Sequence, residues 1–349
     1  MKAAVFYGPN DLRVEEVSDP KLQPDGIIVK VKTCGVCGTD LHAYKGKRPA
    51  AAGSIMGHEF SADVIEVGAN VKGIKKGDRV TGGAGAFAEY VGIPLAIVNK
   101  TVFPFSDKLS YEEGACAEPL SVGLAVAKSA EPKPEDTVVI LGAGMIGYAS
   151  LQVFKAMGVS NIIVSEISKQ RLEAAKAGGA DILISAKEED PFQRVYELTS
   201  GRGADIVAEC AGAQVTFRQA IEMARWGGNA VRRSGEIPII HIDDIFNSFK
   251  VRKLNLDDKE IVRTGGRVCM AASYEDTIPW DLSCQVTLLH KNVSLIGCLT
   301  GDIRGAVELL ETGKVNLKPI FTHEFSLDNI TEAFNMAMSS DSVKVMVAP

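Results

Sequence analysis

Gly142-Ala143-Gly144-Met145-Ile146-Gly147 follows directly on the apolar run Val138-Val-Ile-Leu141 and opens a stretch with helical character, and no other feature of this 349-residue chain limits its fold so tightly. The first glycine permits a tight turn, the second lets backbone approach a pyrophosphate, and the third packs helix on strand, with phosphate at the positive helix N-terminus. Glycines at this spacing also occur in merely glycine-rich turns, so the acid that ends the next strand carries weight. Ile162-Ile-Val-Ser165 leads to Glu166, about 20 residues on, where a carboxylate holds ribose hydroxyls and repels a 2′-phosphate. Gly142, Gly144, Ile146, Gly147 and Glu166 are therefore expected to bind a dinucleotide, NAD in preference to NADP. Lys169 and Arg171 stand close by and leave that preference less than strict. Arg171 is counted with the cofactor-binding residues, with two readings open: stacking on the adenine, or standing in solvent.

The pattern around this turn extends in both directions. Up to about residue 105, short alternating or apolar runs (Ala3–Tyr7, Ile27–Lys32, Ala62–Val67, Ala88–Ile93) are separated by Gly, Pro, Asn and Asp, the texture of an all-β domain. From Thr137 strand-like and helix-like segments alternate, which predicts a parallel sheet. A tail from Thr322 to Pro349 reads as strand, helix and strand. Residues 229–264 break the rhythm and read as an insertion, either a surface excursion or a segment that pairs with another subunit.

Charge and cysteine usage exclude several classes. A net charge of −6 offers no broad basic face for nucleic acid or for a membrane surface. Thr137 to Phe154 carries no Asp or Glu, but its three glycines in turn spacing argue against a membrane span. The start, Met1-Lys-Ala-Ala-Val-Phe, lacks the apolar core of a signal peptide, and seven cysteines in no repeated framework suit a reducing compartment. A cytoplasmic protein is expected, with cysteines acting as thiols or metal ligands.

Cys34-Gly-Val-Cys37-Gly-Thr-Asp-Leu-His42 reads, taken alone, as half of a zinc knuckle whose second half is missing. A sparser site is the alternative. His58-Glu59 supplies an imidazole and a carboxylate, and Glu118 precedes a proline in Ala117-Glu-Pro-Leu-Ser121. One soft, one borderline and one hard donor suit zinc with an open position. Cys34 reads more simply as a small buried hydrophobe, and Glu118 has the second reading of a plain helix-start carboxylate. His241, His290 and His323 have no partner pattern, and Cys116, Cys210, Cys269, Cys284 and Cys298 default to core.

Taken together, Cys-Gly-Thr-Asp at 37–40, Gly-His-Glu at 57–59, Gly-Asp-Arg-Val at 77–80, Ala-Phe-Ala-Glu-Tyr at 86–90, Glu-Pro-Leu-Ser-Val at 118–122 and the glycine turn resemble the zinc-containing medium-chain alcohol dehydrogenase family, in its polyol (sorbitol and butanediol dehydrogenase-like) branch. The resemblance covers nearly the whole chain. It implies an α/β plus β fold: a GroES-like β-barrel catalytic domain at 1–125 completed by 305–349, and a Rossmann doubly wound parallel sheet at 126–304 that carries the insertion. It implies that Cys37, His58 and Glu118 are zinc ligands, with Glu59 a direct or alternating one. It also implies that Thr39 touches the substrate oxygen and His42 is the outer member of a proton relay. The expected activity is hydride transfer from a secondary alcohol, diol or polyol to NAD, giving a ketone. Threonine oxidation and a catalytically inactive nucleotide-binding homologue are the alternatives. A homodimer or homotetramer is expected, with Lys291–Cys298 as an edge strand.

Three departures from the resemblance matter. Val80 runs through Thr-Gly-Gly-Ala-Gly to Ala86 where the family places a four-cysteine structural zinc lobe, so one catalytic zinc per chain is expected. The second is the insertion. The third is that Ala43, Leu299 and Thr300 replace residues that resemble sorbitol contacts, which points to a smaller or less polar substrate than sorbitol.

Overall fold

The computed structural model describes residues 1–225, 265–271, 291, 293–298 and 301–349. The stretch read as an insertion lies outside the described residues, as do His241, Cys284, His290, Leu299 and Thr300.

The first part of the chain is β1 (Lys2–Gly8), β2 (Asp11–Glu16), β3 (Ile27–Gly35), α1 (Gly38–Tyr44), β4 (Ser54–Ile55), β5 (Glu59–Val67), β6 (Arg79–Thr81), β7 (Tyr90–Ile93) and β8 (Phe103–Phe105). Alternation along β5 shows why these residues make a half-buried sheet: Phe60, Ala62 and Val64 enter the barrel core, each worth about 1.5–3 kcal/mol of burial for the larger side chains. The intervening Glu59, Ser61 and Asp63 lie on the opposite face, so the strand that builds the core also presents a carboxylate at its first residue.

Two helices, α2 (Tyr111–Ala115) and α3 (Ala117–Ala130), lead into the second part. There β9 (Thr137–Leu141), α4 (Met145–Ala156), β10 (Asn161–Glu166), α5 (Lys169–Ala177), β11 (Ile182–Ser185), α6 (Pro191–Leu198), β12 (Ile206–Glu209), α7 (Gln214–Met223), β13 (Arg267–Met270) and β14 (Ser294–Gly297) follow. The strands lie in the order β11-β10-β9-β12-β13-β14, all parallel. Strand order reverses beside β9, and the crevice at the carboxyl ends of β9 and β12 is where such sheets bind ligands.

The tail adds α8 (Ile303–Glu311), β15 (Phe321–Ser326), α9 (Ile330–Met338) and β16 (Lys344–Ala348). β16 pairs antiparallel with β3, placing Met346 opposite Gly35, and the barrel sheet runs β15-β16-β3-β5-β6-β8 with β7 also on β3. The domain limits at 125/126 and 304/305 fall inside α3 and α8. The physical reason is packing: Leu120, Leu124 and Ala127 of α3 and Ala306, Val307 and Leu310 of α8 share one core with Val138, Ile140 and Ile162. No helix among the described residues is long and apolar enough to cross a membrane.

Candidate metal centre and dinucleotide cleft

β3 ends at Gly35, and two residues later Cys37 takes the N-cap position of α1. Asp40 closes the first turn as a reciprocal cap, its Oδ2 accepting from the Cys37 backbone N–H at 3.0 Å. Its other oxygen faces the start of β5, where His58 Nδ1 lies 3.7 Å from Asp40 Oδ1. At that distance the carboxylate acts on the ring as a nearby charge and not through a hydrogen bond. The ligand atoms of Cys37, His58 and Glu59 all lie within 4.8 Å of one another, close enough for one ion to bridge with bonds of about 2.0–2.3 Å.

Electrostatics show that this pocket suits a cation. Burial, then the nearby Glu59 charge, pushes the Cys37 thiol well above its ordinary range, although Thr39 donates a hydrogen bond to the sulfur. Burial raises the Asp40 carboxyl. Burial first and Glu59 second raise Glu118, in the first turn of α3. Several acidic groups that all resist ionising in one place fit a doubly charged ion that would stabilise each ionised form. Glu118 stands beside the three-residue group, near enough to feel Glu59 and His58, without being one of the three whose donor atoms converge.

Glu59 has a second partner that sequence reasoning missed. The Lys344 ammonium, at the head of β16, forms an ion pair with Glu59 Oε2 and donates to the Val36 carbonyl at 3.0 Å. Burial works against that ammonium, but Glu59, with Cys116 and Cys37, holds its pKa above the ordinary lysine range. The signal nearest to it in sequence is Gly35: a Cβ there would come within 2.5 Å of Lys344 Cε and 2.8 Å of Glu59 Oε2, so a side chain at this position would have to displace the pair. Asp40 was within reach of sequence reasoning through its spacing from Cys37. Thr39 and His42, both half-buried, lie on α1 two and five residues after Cys37.

In the cleft of the parallel sheet, Gly142 turns at φ +90°, and a Cβ on Gly147 would collide with the Gly142 carbonyl oxygen. α4 starts after Gly144 with no side-chain cap, so its first N–H groups suit a phosphate. Glu166, at the end of β10, accepts from the Ala143 N–H at 2.7 Å through Oε2, and through Oε1 from the N–H groups of Ile167 at 2.7 Å and Ser168 at 2.9 Å. The acid therefore sits against the glycine turn itself. Neither sequence reading of Arg171, stacking on adenine or standing in solvent, gives it a partner in the tail; the structure bonds Nε to the Ser342 carbonyl at 2.9 Å and Nη2 to that of Ser339 at 3.4 Å.

Comparison with known proteins agrees with this arrangement. Residues 23–102 match the alcohol dehydrogenase GroES-like domain model, and residues 146–253 match the zinc-binding dehydrogenase model. (R,R)-butanediol dehydrogenase of Bacillus subtilis is 35% identical over 66% of this chain and 76% of its own length. Sorbitol dehydrogenase of Halalkalibacterium halodurans is 30% identical over 100% of this chain and 99% of its own. The crystal structure of 2R,3R-butanediol dehydrogenase from Bacillus subtilis superposes with a TM-score of 0.78 at 27% identity, over 100% of this chain and 99% of that one.

Proposed function

The chain belongs to the zinc-containing medium-chain alcohol dehydrogenase family and is an alcohol or polyol dehydrogenase, and from that premise we propose that it oxidises a secondary alcohol or diol to the ketone with NAD. The observation that carries this reading is the convergence of Cys37, His58 and Glu59 from the ends of two barrel elements. Zinc and a nicotinamide supply, when bound, Lewis-acid polarisation of an alcohol oxygen and a hydride acceptor. Cys37, His58 and Glu59 would hold the ion, with Glu118 beside them as a further carboxylate, one ion per chain, since the Thr81–Gly85 stretch contains no cysteine.

The protein's own groups do the rest. Asp40 places a carboxylate beside the His58 ring. Thr39 accepts the alcohol proton at its hydroxyl oxygen as it releases its own toward His42, whose imidazole passes a proton outward. Glu166 receives ribose hydroxyls and repels a 2′-phosphate, which favours NAD. Ala43 and the sequence at Leu299-Thr300 support a substrate smaller or less polar than sorbitol. We place the enzyme in the cytoplasm, because Cys37 has to stay a thiol to serve as ligand. We also propose a homodimer or homotetramer built through β14, which among the described residues lies at one side of the parallel sheet with Leu295 exposed.

Zinc analysis of the purified protein, with NAD reduction on a panel of 2,3-butanediol, sorbitol, simple secondary alcohols and threonine, tests the assignment. Zinc near one per chain with turnover of diols or secondary alcohols is expected. Chelator-insensitive activity, or turnover of threonine alone, would overturn it.

A further inference from the structure

The loop after Glu166 is tied to the other domain. Ser168, which caps α5, donates its hydroxyl to the Ser340 carbonyl at 2.5 Å. Arg171, one turn further on, donates to Ser342 and Ser339 as described above. Every donor belongs to the nucleotide-binding sheet and its helices; every acceptor belongs to the turn between α9 and β16, in the part of the chain that completes the barrel.

That turn is held by hydrogen bonds of its own. The Ser342 hydroxyl donates to the Met336 carbonyl at 2.9 Å, the Asp341 N–H to Ser339 Oγ at 3.0 Å, and the Val343 N–H to Thr322 Oγ1 at 3.2 Å. Two residues past Ser342 comes Lys344, whose ammonium holds Glu59. At the opposite end, Glu166 is bonded to the glycine turn and to the N–H of Ser168. One continuous series of bonds thus joins the ribose acid to the metal-site carboxylate: Glu166, Ser168 with Arg171, the 339–342 turn, Lys344, Glu59.

We propose that this series is an inter-domain latch through which a nucleotide at Glu166 governs how firmly the metal centre is held. The inference rests on the dinucleotide reading of the glycine turn given above. A ribose on Glu166 fixes the 166–168 loop, and the two tethers pass that order to the base of β16, where Lys344 positions Glu59. Arg171 acts here as a positioning residue that works through the tail carbonyls. Coupling between two binding sites is reciprocal, so a nucleotide that tightens the metal site is itself bound more tightly when metal is present.

The probe is AMP, which carries the adenosine ribose and ends at its phosphate, so it occupies the Glu166 end without covering the metal. Zinc-loaded protein is challenged with EDTA, and zinc release is timed with and without saturating AMP. In the parent, AMP is expected to slow release about 5-fold or more, the lower end of ordinary coupling. In Arg171→Met/Ser168→Ala, with AMP still binding by calorimetry, the ratio is expected to fall to about 1, and Arg171→Lys to recover part of it. Ser168→Ala alone serves if the double variant loses its native circular dichroism, and its ratio should lie between the parent's value and 1. AMP that binds the parent without slowing release overturns the latch alone, as does a ratio unchanged in the variants. Failure of AMP and NAD alike to bind the parent overturns the latch together with the reading on which it rests.

Discussion

The Lys344 ammonium and the Glu59 carboxylate form an ion pair with both side chains only 2% exposed, joining the last strand of the chain to the first residue of β5. Removing one member of such a pair strands the other charge in a medium that cannot solvate it. Lys344→Met is therefore expected to cost metal-free protein about 3–5 kcal/mol of unfolding free energy, with Lys344→Arg retaining most of it. Urea titration measures this; a cost below about 1 kcal/mol would show that Glu59 needs no counter-ion there.

Asp40 places its charge beside His58 and caps the turn that presents Cys37. Asp40→Asn keeps the shape and weakens the charge, so zinc affinity should fall about 10- to 100-fold. Competition with a fluorescent chelator reads it. Cys37→Ala should abolish zinc binding and turnover while NAD binding survives; retained zinc at full stoichiometry would contradict the ligand assignment.

Glu166→Gln removes the charge that repels a 2′-phosphate while keeping an oxygen for the Ala143 N–H. The preference for NAD over NADP should shrink about 10-fold or more, a difference of about 1.4 kcal/mol. Dissociation constants for both cofactors decide it, and an unchanged ratio would place the ribose contact elsewhere.

Lys291 is buried against the end of α7, donating to the carbonyls of Glu222 and Ala224. Desolvation lowers its pKa to about 8, with Glu222 opposing. The unfolded chain keeps that proton until about pH 10.4, so between these values the unfolded state binds more protons and stability attributable to this lysine rises with pH. Comparing unfolding free energies of the parent and Lys291→Met at pH 7 and pH 10 should show the parent gaining on the variant as pH rises. A constant difference would mean that Lys291 titrates normally.

Much of the molecule was readable before any coordinates. Glycine spacing behind an apolar run, an acid at the end of the next strand, and His-Glu at a strand start are local patterns, because a turn, a helix N-terminus and a strand face each span only a few residues. Domain limits were harder: α3 and α8 are amphipathic helices whose apolar faces can serve either domain, and only packing assigns them to the core beneath the parallel sheet.

Sequence alone determined that this chain joins a β-barrel to a dinucleotide-type sheet and carries thiol, imidazole and carboxylate donors of the kind zinc takes, because short-range periodicity and residue chemistry specify those things. Only the tertiary structure decided that Lys344 holds Glu59 and that Arg171 is tied to the tail, with its guanidinium on carbonyls of 339 and 342. Those partners lie 285 and about 170 residues apart in sequence, and nothing but the closure of the barrel by β16 brings them within hydrogen-bonding reach.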